Sequence, residues 1–178
     1  MGVAKAELRV GGQRLADRAA GALGVVCDPV LEIGPGFSAL DAVVEPDPGR
    51  GPLVALAAGT TALRTRGYGG ALILLAVDLA FAGAPLLSLL AAHDPLDATV
   101  VPMAAGVPQS LCARYGVAAQ RDCAELVASG ARSLRVLLDR TPWAAVGEPE
   151  WRAVAPGNAL DDVDTPADVE RLGLEWPG

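Results

Sequence analysis

The sequence predicts a single three-layer α/β domain with a mostly parallel sheet. Short apolar runs with strand character alternate with helical segments along the chain, and this alternation is typical of a sheet covered by helices on both faces. At 178 residues the chain has about the length of one domain. Neither an internal repeat nor a linker divides the sequence, so residues 1–178 are interpreted as one domain.

The composition indicates a core built from small aliphatic side chains. Apolar residue types make up 52% of the chain, whereas aromatic residues make up only 4%. Cys27, Cys112 and Cys123 are widely separated and odd in number, so we exclude a disulfide framework and expect a reducing, cytoplasmic location. The net charge of −7 argues against nucleic acid as a partner, because binding to phosphate backbones relies on basic surfaces.

Strands and helices alternate in the first third of the chain. An extended arm, a helix and two strands are predicted, at residues 7–10, 13–23, 30–33 and 42–44. Pro52 suits the first turn of a second helix, because proline has a fixed φ and no amide hydrogen that would be left unpaired. We expect this helix to end near Arg66.

The apolar stretch at residues 69–92 is long enough to span a bilayer. However, Asp78 near its middle would cost roughly 2.5–3.5 kcal/mol in a membrane, and Pro85 interrupts the run. A buried strand at residues 71–77, followed by a loop and a helix from Pro85, accounts for these interruptions, so we expect no membrane span. The residues expected in a buried central strand are Leu72, Leu74, Leu75 and Val77.

The alternation continues in the second half of the chain. Strands are predicted at residues 98–102 and 111–115, with one or two more within residues 143–154. Helical periodicity over residues 118–140 is divided into two helices by Gly130. A last helix is expected after an N-cap at Asp164 or Thr165, with Asp168 in its acidic first turn.

Asp78 is the first candidate functional residue. Ligands of open α/β sheets bind at the carboxyl ends of the strands, and Asp78 directly follows the apolar run that predicts a strand. A carboxylate in this place can hold Mg²⁺ against phosphate oxygens. It can equally cap the next turn, and the spacing alone leaves both interpretations open.

Three other features carry weaker signals. The Pro/Gly loop at residues 48–52 could let the backbone approach a ligand closely, although such loops before helices are common. Asp161, Asp162 and Asp164 could coordinate a metal, but capping of the last helix is the preferred interpretation. His93 lies at a predicted helix end, where an interaction with the helix dipole explains it without a catalytic role.

Six short motifs are spread along the whole chain. They are M-G-V-A-K-A at residues 1–6, R-V-G-G-Q-R-L at 9–15, P-G-R-G-P-L at 48–53, L-L-A-V-D-L-A-F at 74–81, G-A-R-S-L-R-V-L-L at 130–138 and D-V-D-T-P-A-D-V at 162–169. In order and spacing the chain resembles the molybdenum cofactor guanylyltransferase family, a group of nucleotidyltransferases with a Rossmann-like fold. The G-P-L sequence favours the guanylyl branch over the related cytidylyltransferases.

The resemblance implies transfer of GMP from GTP, in the presence of Mg²⁺, to the terminal phosphate of the molybdopterin cofactor, with release of pyrophosphate. Lys5 would contact the triphosphate and offset the charge of the leaving pyrophosphate. Asp78 would hold the Mg²⁺, and Asp164 would lie near the acceptor site, within reach of the metal. Molybdoenzyme maturation proteins are included among the expected partners.

The resemblance also assigns residues to the base pocket. Gly51 and the loop before it would bound the pocket for the guanine and the ribose. An acidic residue just before that loop usually helps to read the base in this family, and either Glu45 or Asp47 occupies that position here.

The chain departs from the family at its first residues. Members of the family begin with a strand and a loop that reads roughly L-A-G-G-x-S-x-R before the M-G, whereas this sequence starts at that methionine. We therefore expect the first strand, which is central in the family's sheet, to be missing, and Met1 to be an internal methionine of a longer natural chain. Two alternatives are a non-catalytic relative that binds a nucleotide or a partner protein, and a nucleotidyltransferase for CTP or a sugar phosphate.

Overall fold

The computed structural model describes residues 4–45 and 49–177. The helices are α1 (Leu15–Gly24), α2 (Pro52–Thr65), α3 (Ala84–Ala92), α4 (Val117–Ala128), α5 (Leu134–Arg140), α6 (Glu148–Arg152) and α7 (Pro166–Arg171). The strands are β1 (Arg9–Val10), β2 (Gln13–Arg14), β3 (Leu31–Ile33), β4 (Asp41–Val43), β5 (Leu72–Leu75), β6 (Thr99–Ala104), β7 (Val107–Pro108), β8 (Cys112–Tyr115) and β9 (Trp143–Val146). A 3₁₀ turn at Lys5–Glu7 precedes β1.

Helices cover both faces of the sheet around β6, as expected for a three-layer α/β arrangement. Val100 and Val101 are neighbours in β6 and are both fully buried, but their side chains point to opposite faces. Val100 belongs to an apolar cluster that α3 and α6 cover, and Val101 belongs to a second cluster that α2, α4 and α5 cover. Leucines and alanines dominate both clusters, in agreement with the composition.

The direction of the strands differs from the sequence prediction. β8 is antiparallel to both β5 and β6, and β7 is antiparallel to β6, whereas β9 is parallel to β6. The prediction of a mostly parallel sheet is therefore wrong for the described strands. The physical reason is the short connection from β6 through β7 to β8, because a parallel pair needs a crossover of a dozen or more residues.

β5 is an edge strand of this sheet, not the buried central strand predicted for residues 71–77. In the described part of the chain β5 pairs with β8 alone, and all four of its residues are only half-buried. β3 and β4 form a separate parallel pair. The edge of β5 opposite β8 faces an open cleft, which explains why this apolar strand is incompletely covered.

Most other elements lie within a few residues of their predicted positions, with one clear exception. The sequence predicts one or two strands within residues 143–154, but a single strand, β9, ends there at Val146 and the short helix α6 follows. Pro149 lies in the first turn of α6, a position in which proline favours a helix. The Trp151 indole of this helix is fully buried and donates a 2.7 Å hydrogen bond to the Met103 carbonyl.

A third apolar cluster joins the two ends of the described chain to the segment after β5. Its buried members are Leu8, Leu15, Ala80, Val163, Val169 and Leu174. Arg9 and Glu175 also exchange backbone hydrogen bonds. This packing brings the turn before β1 and the start of α7 together at the carboxyl end of β5. Among the described residues, no helix has the length and apolar character that crossing a membrane requires.

Candidate functional site

Three charged side chains that are distant in the sequence meet at the carboxyl end of β5. Lys5 Nζ lies 3.0 Å from Asp78 Oδ2 and 2.5 Å from Asp164 Oδ1. Lys5 comes from the turn before β1, Asp78 from the segment after β5, and Asp164 from the segment before α7. The structure therefore brings together three of the residues that the sequence analysis singled out.

The Asp78 carboxylate is the most enclosed group of this cluster. Its side chain is 18% exposed, whereas that of Asp164 is 63% exposed. Asp78 Oδ2 accepts the hydrogen bond from Lys5, but Oδ1 is buried and has no hydrogen-bond partner within the described residues. A buried carboxylate oxygen without a partner is unfavourable, and a bound cation would satisfy it.

The donor atoms at this place fit Mg²⁺. Carboxylate oxygens are hard ligands of the kind that Mg²⁺ takes from proteins, commonly one or two at a time together with phosphate oxygens and water. Asp78 and Asp164 provide two such groups on either side of Lys5. Within residues 4–45 and 49–177, no group of three or more His, Cys, Asp or Glu side chains is arranged to hold a metal.

The cluster carries more negative than positive charge. Burial lowers the pKa of Lys5, but the hydrogen bonds and charges of Asp164 and Asp78 outweigh this effect and shift it upward, so the ammonium group is charged at neutral pH. Burial raises the pKa of the nearby Asp162, and the charges of Asp164 and Asp78 raise it further. The Lys5 ammonium group therefore contacts two carboxylates, those of Asp78 and Asp164, with Asp162 nearby. This excess of negative charge favours binding of a further cation.

The described residues assigned to the base pocket, Glu45 and Gly51, do not contact the cluster of Lys5, Asp78 and Asp164 through polar interactions. No hydrogen bond or ion pair joins Glu45 or Gly51 to Lys5, Asp78 or Asp164 among the residues that the structure describes. Glu45 follows β4, and its Oε1 atom is buried without a hydrogen-bond partner among residues 4–45 and 49–177. Asp47 lies outside the described residues.

Gly51 has a structural requirement of its own. It is the N-cap of α2 with a φ of 104°, which side chains rarely adopt. A Cβ atom there would lie 2.7 Å from the Arg132 carbonyl oxygen. The same oxygen accepts a 3.1 Å hydrogen bond from the Leu53 N–H, so the start of α2 is fixed against the connection between α4 and α5.

A cleft of about 890 Å³ lies beside β5, and it is lined mainly by apolar side chains. Its walls include β3, β5 and residues of α1 and α2, and Lys5 lies on its lining together with Ala4 and Ala6. Residues 29–33 line it but residues 41–43 do not, so it lies along the edge of β3 opposite β4. The cleft thus separates two strand edges, one from β3 and one from β5.

Backbone groups on both strands point toward this cleft. The Ala76 N–H donates to the Leu111 carbonyl, so the alternation of an antiparallel pair directs the N–H and C=O groups of Ile73 and Leu75 away from β8. The Gly34 N–H donates to the Val43 carbonyl of β4. Successive residues of a strand direct their backbone groups to opposite edges, so in this parallel pair the backbone groups of Leu31 and Ile33 point away from β4.

Glu32 is a polar residue that the sequence analysis missed. Its carboxylate accepts hydrogen bonds of 2.6–3.0 Å from the Ser38 hydroxyl and from the backbone N–H groups of Gly36, Phe37 and Ser38. Burial raises the pKa of Glu32, but these hydrogen bonds outweigh it and lower the pKa. Phe37 and Ser38 line the cleft, so Glu32 fixes part of its wall. The Gly-Pro-Gly segment at residues 34–36 is the signal that indicates such a turn.

The fold and the cluster together define a class of protein. Charged groups for phosphate chemistry are gathered where a strand ends in an α/β sheet, and a lysine and two carboxylates suit the transfer of a nucleotide, which needs positioning and charge neutralisation. The sequence agrees with this classification. It matches the sequence model of the MobA-like NTP transferase domain over residues 1–146, so the chain belongs to this family and is a nucleotidyltransferase.

Solved structures with the same fold are distant in sequence. The molybdopterin-guanine dinucleotide biosynthesis protein A from Archaeoglobus fulgidus is 18% identical, with a TM-score of 0.77, over 96% of this chain and 89% of that chain. A protein from Aquifex aeolicus VF5 is 16% identical, with a TM-score of 0.55, over 71% of this chain and 63% of that chain. At these identities the likeness shows the fold alone. No curated protein matches the sequence.

Proposed function

We propose that this protein transfers GMP from GTP to the terminal phosphate of the molybdopterin cofactor and releases pyrophosphate. The observation that carries the proposal is the contact of Lys5 with Asp78 and Asp164 at the carboxyl end of β5. Membership of the MobA-like NTP transferase family supports the reaction class. The fold is shared with an archaeal protein named for molybdopterin-guanine dinucleotide biosynthesis, which supports the choice of acceptor.

Each charged residue has a role that its surroundings support. Lys5 binds the triphosphate and offsets the charge that develops on the leaving pyrophosphate, since its ammonium group is held charged by two carboxylates. Asp78 and Asp164 would hold Mg²⁺, which supplies charge neutralisation at phosphate oxygens when bound. The unpartnered Oδ1 atom of Asp78 supports its part in this role. Holding GTP and the molybdopterin cofactor next to each other would supply the remaining increase in the rate of GMP transfer.

The proposal includes a pocket for the base. Glu45 and Asp47 are the two acidic candidates for reading guanine, because a carboxylate accepts hydrogen bonds and guanine presents N–H donors. The unpartnered Glu45 Oε1 supports Glu45 for this role. Gly51 bounds the pocket, and its fixed position against Arg132 supports a rigid wall there. In keeping with the family, we expect the reaction in the cytoplasm, with molybdoenzyme maturation proteins as partners and no role for nucleic acid.

We further propose that an additional strand, absent from the described residues, completes the sheet between β3 and β5. Unpaired backbone groups of Leu31, Ile33, Ile73 and Leu75 border the apolar cleft, and Ala4 lies on its lining. Because Lys5 contacts Asp78 just after the end of β5, a strand in this cleft that ends near Lys5 would run parallel to β5. Such a strand satisfies both edges and places the loop that follows it near Lys5.

The codons directly upstream of Met1 test this strand. We expect them to continue in frame and to encode an apolar segment followed by a glycine-rich loop. The extended protein should be more stable and should bind GTP more tightly than the chain of 178 residues. An in-frame stop codon directly before Met1 would favour the non-catalytic relative instead.

A transfer assay tests the proposed function. The protein, in its extended form if the reading frame continues upstream, is incubated with Mg²⁺, molybdopterin cofactor and either GTP or CTP, and pyrophosphate release is measured. We expect release with GTP that D78A abolishes while leaving the far-UV circular dichroism unchanged. D139A is the matched control, because Asp139 is an exposed carboxylate on α5 that pairs with Arg135.

Each other outcome selects a different function. Full activity of D78A would contradict the assignment of this residue. Release with CTP in place of GTP would select the cytidylyl branch, and release with a sugar phosphate as acceptor would select a sugar-phosphate nucleotidyltransferase. A thermal shift with GTP but no pyrophosphate release would indicate a non-catalytic nucleotide-binding relative.

A further inference from the structure

The carboxylate of Asp168 holds the two backbone N–H groups that precede α7. Its Oδ2 atom accepts from the Asp164 N–H at 3.2 Å, from the Thr165 N–H at 2.9 Å and from the Thr165 hydroxyl at 2.7 Å. The Thr165 hydroxyl in turn accepts from the Asp168 N–H, which completes a capping box. One carboxylate oxygen therefore fixes the backbone of Asp164 as well as the start of the helix.

Arg171 holds the other oxygen of the same carboxylate. Its guanidinium donates to Asp168 Oδ1 at 3.0 Å and to Asp161 Oδ2 at 2.6 Å. Arg171 thus connects the last turn of α7 to Asp168 in its first turn and to Asp161 in the segment that leads into Asp164. The hydrogen bonds from Thr165 and Arg171 hold the pKa of Asp168 far below its usual range, so its carboxylate stays ionised at neutral pH.

Burial does not orient the Asp164 side chain, which is 63% exposed. The only hydrogen-bond partner recorded for its carboxylate among the described residues is Lys5. Val163, the preceding residue, is fully buried in the cluster that joins the two chain ends. The direction of the Asp164 carboxylate therefore depends on a backbone that is fixed on one side by Val163 and on the other by Asp168.

We propose that Asp168, clamped by Arg171, is a positioning residue that directs the Asp164 carboxylate toward Lys5 and toward the site beside Asp78. The expected effect of Asp168 on metal binding rests on the proposed function. The geometric part of the proposal, that Asp168 keeps Asp164 in contact with Lys5, does not depend on that function. If Asp168 served only as a helix cap, its removal would lower the stability of the protein and leave the contact between Asp164 and Lys5 unchanged.

The single lysine of the chain allows a direct test of the geometric part. Lys5 is the only lysine in the sequence, so protein labelled with ¹⁵N-lysine gives one side-chain ammonium signal in an NMR spectrum. We expect D168A to move this signal in the direction that D164N moves it, and D168E, which can still form a capping box, to restore the wild-type position. The double variant D164N/D168A should match D164N, because removal of Asp168 has no effect once Asp164 no longer pairs with Lys5.

S133A is the matched control for loss of a cap. The Ser133 hydroxyl caps α5 by accepting from the Arg135 N–H, and it lies in a helix that supplies none of the charged residues of the site. S133A should lower the melting temperature as D168A does but leave the Lys5 signal in place. If D168A does not fold, R171Q keeps the capping box intact and should move the signal in the same direction by a smaller amount.

Binding of Mn²⁺ to the nucleotide-free protein tests the consequence for the metal. We expect about tenfold weaker Mn²⁺ binding in D168A than in wild type, the loss typical of residues that orient a metal ligand. An unmoved Lys5 signal in folded D168A would overturn the positioning role. A moved signal with no Mn²⁺ binding in wild type would uphold the positioning of Asp164 and count against the proposed function.

Discussion

Replacing Arg114 by methionine is expected to lower the free energy of unfolding by about 3–5 kcal/mol. Arg114 lies in β8 and is only 3% exposed. Its guanidinium donates to four backbone carbonyls in the last turn of α3 and in the connection that leads to β6, at 2.7 Å to Ala91, His93 and Pro95 and at 3.0 Å to Ala98. A single buried side chain therefore ties the end of α3 to the connection before β6, where the Pro95 carbonyl also accepts from the Ala98 N–H.

The magnitude follows from these contacts and from what opposes them. A hydrogen bond to a charged group contributes about 1.5–3 kcal/mol, but four bonds to one group are not additive. Burial lowers the pKa of Arg114, which shows that enclosure of its charge works against the bonds. Pro95 is exposed, so its carbonyl can turn to water in the variant. For a chain of this length, about 3–5 kcal/mol corresponds to a melting temperature about 10 °C lower.

Urea unfolding followed by circular dichroism measures this change. R135M is the control, because Arg135 is 64% exposed and pairs with Asp139 one turn away on α5. We expect R135M to stay within about 0.5 kcal/mol of wild type. A loss below about 1 kcal/mol for R114M would refute the reasoning, since the four carbonyls would then be satisfied without the guanidinium.

Three further predictions concern Glu32, Gly51 and Lys5. E32Q should be less stable than wild type at neutral pH, and the difference in urea midpoint should vanish as the pH falls through the lowered pKa of Glu32, below its ordinary value of 4.5. G51A should lose about 1–3 kcal/mol, because its Cβ would press on the Arg132 carbonyl oxygen, and more than G49A, whose Cβ would meet open space. K5M should abolish pyrophosphate release with an unchanged circular dichroism spectrum, whereas K5R should keep part of the activity; full activity of K5M would contradict the role of Lys5.

The positions of most elements could be predicted from local sequence signals. Pro52 marks the start of α2, Gly130 separates α4 from α5, and Thr165 caps α7, because each depends on the backbone preferences of the residue itself. Pro149 carries the same signal for the start of α6, which the prediction of one or two strands within residues 143–154 does not take into account.

The pairing of the strands could not be predicted in the same way. The apolar run of β5 has the same appearance in a central strand and in an edge strand, because hydrophobicity records burial of the two faces and not the occupancy of the two edges. Residues 111–115 read correctly as a strand, but their antiparallel direction depends on the short connection through β7. Strand direction therefore needed the turn lengths as well as the apolar pattern.

The site shows a similar division. Lys5, Asp78 and Asp164 were selected from motifs, and the structure brings them within hydrogen-bond distance although Lys5 and Asp164 are 159 residues apart in the sequence. The contact of Asp168 with the Asp164 backbone is local, since Asp168 lies four positions after Asp164 in the sequence, and a capping box can be predicted from sequence. The clamp by Arg171 depends on side-chain conformations that no pattern specifies.

β5 and β6 differ in the number of strands that they pair with, so we expect their backbone amides to differ in the rate of local opening. β6 has strand neighbours on both sides and buried residues on both faces, so the amides of Val100 and Val101 should exchange with deuterium last, at the rate of global unfolding. Ile73 and Leu75 direct their amides toward the cleft and should exchange much earlier. Asp78 is attached to this early-opening strand, so any molecule that pairs with the edge of β5 left unpaired by the described strands would slow local opening beside the cluster of Lys5, Asp78 and Asp164. Such a molecule would change the affinity of the cluster for a ligand without touching it.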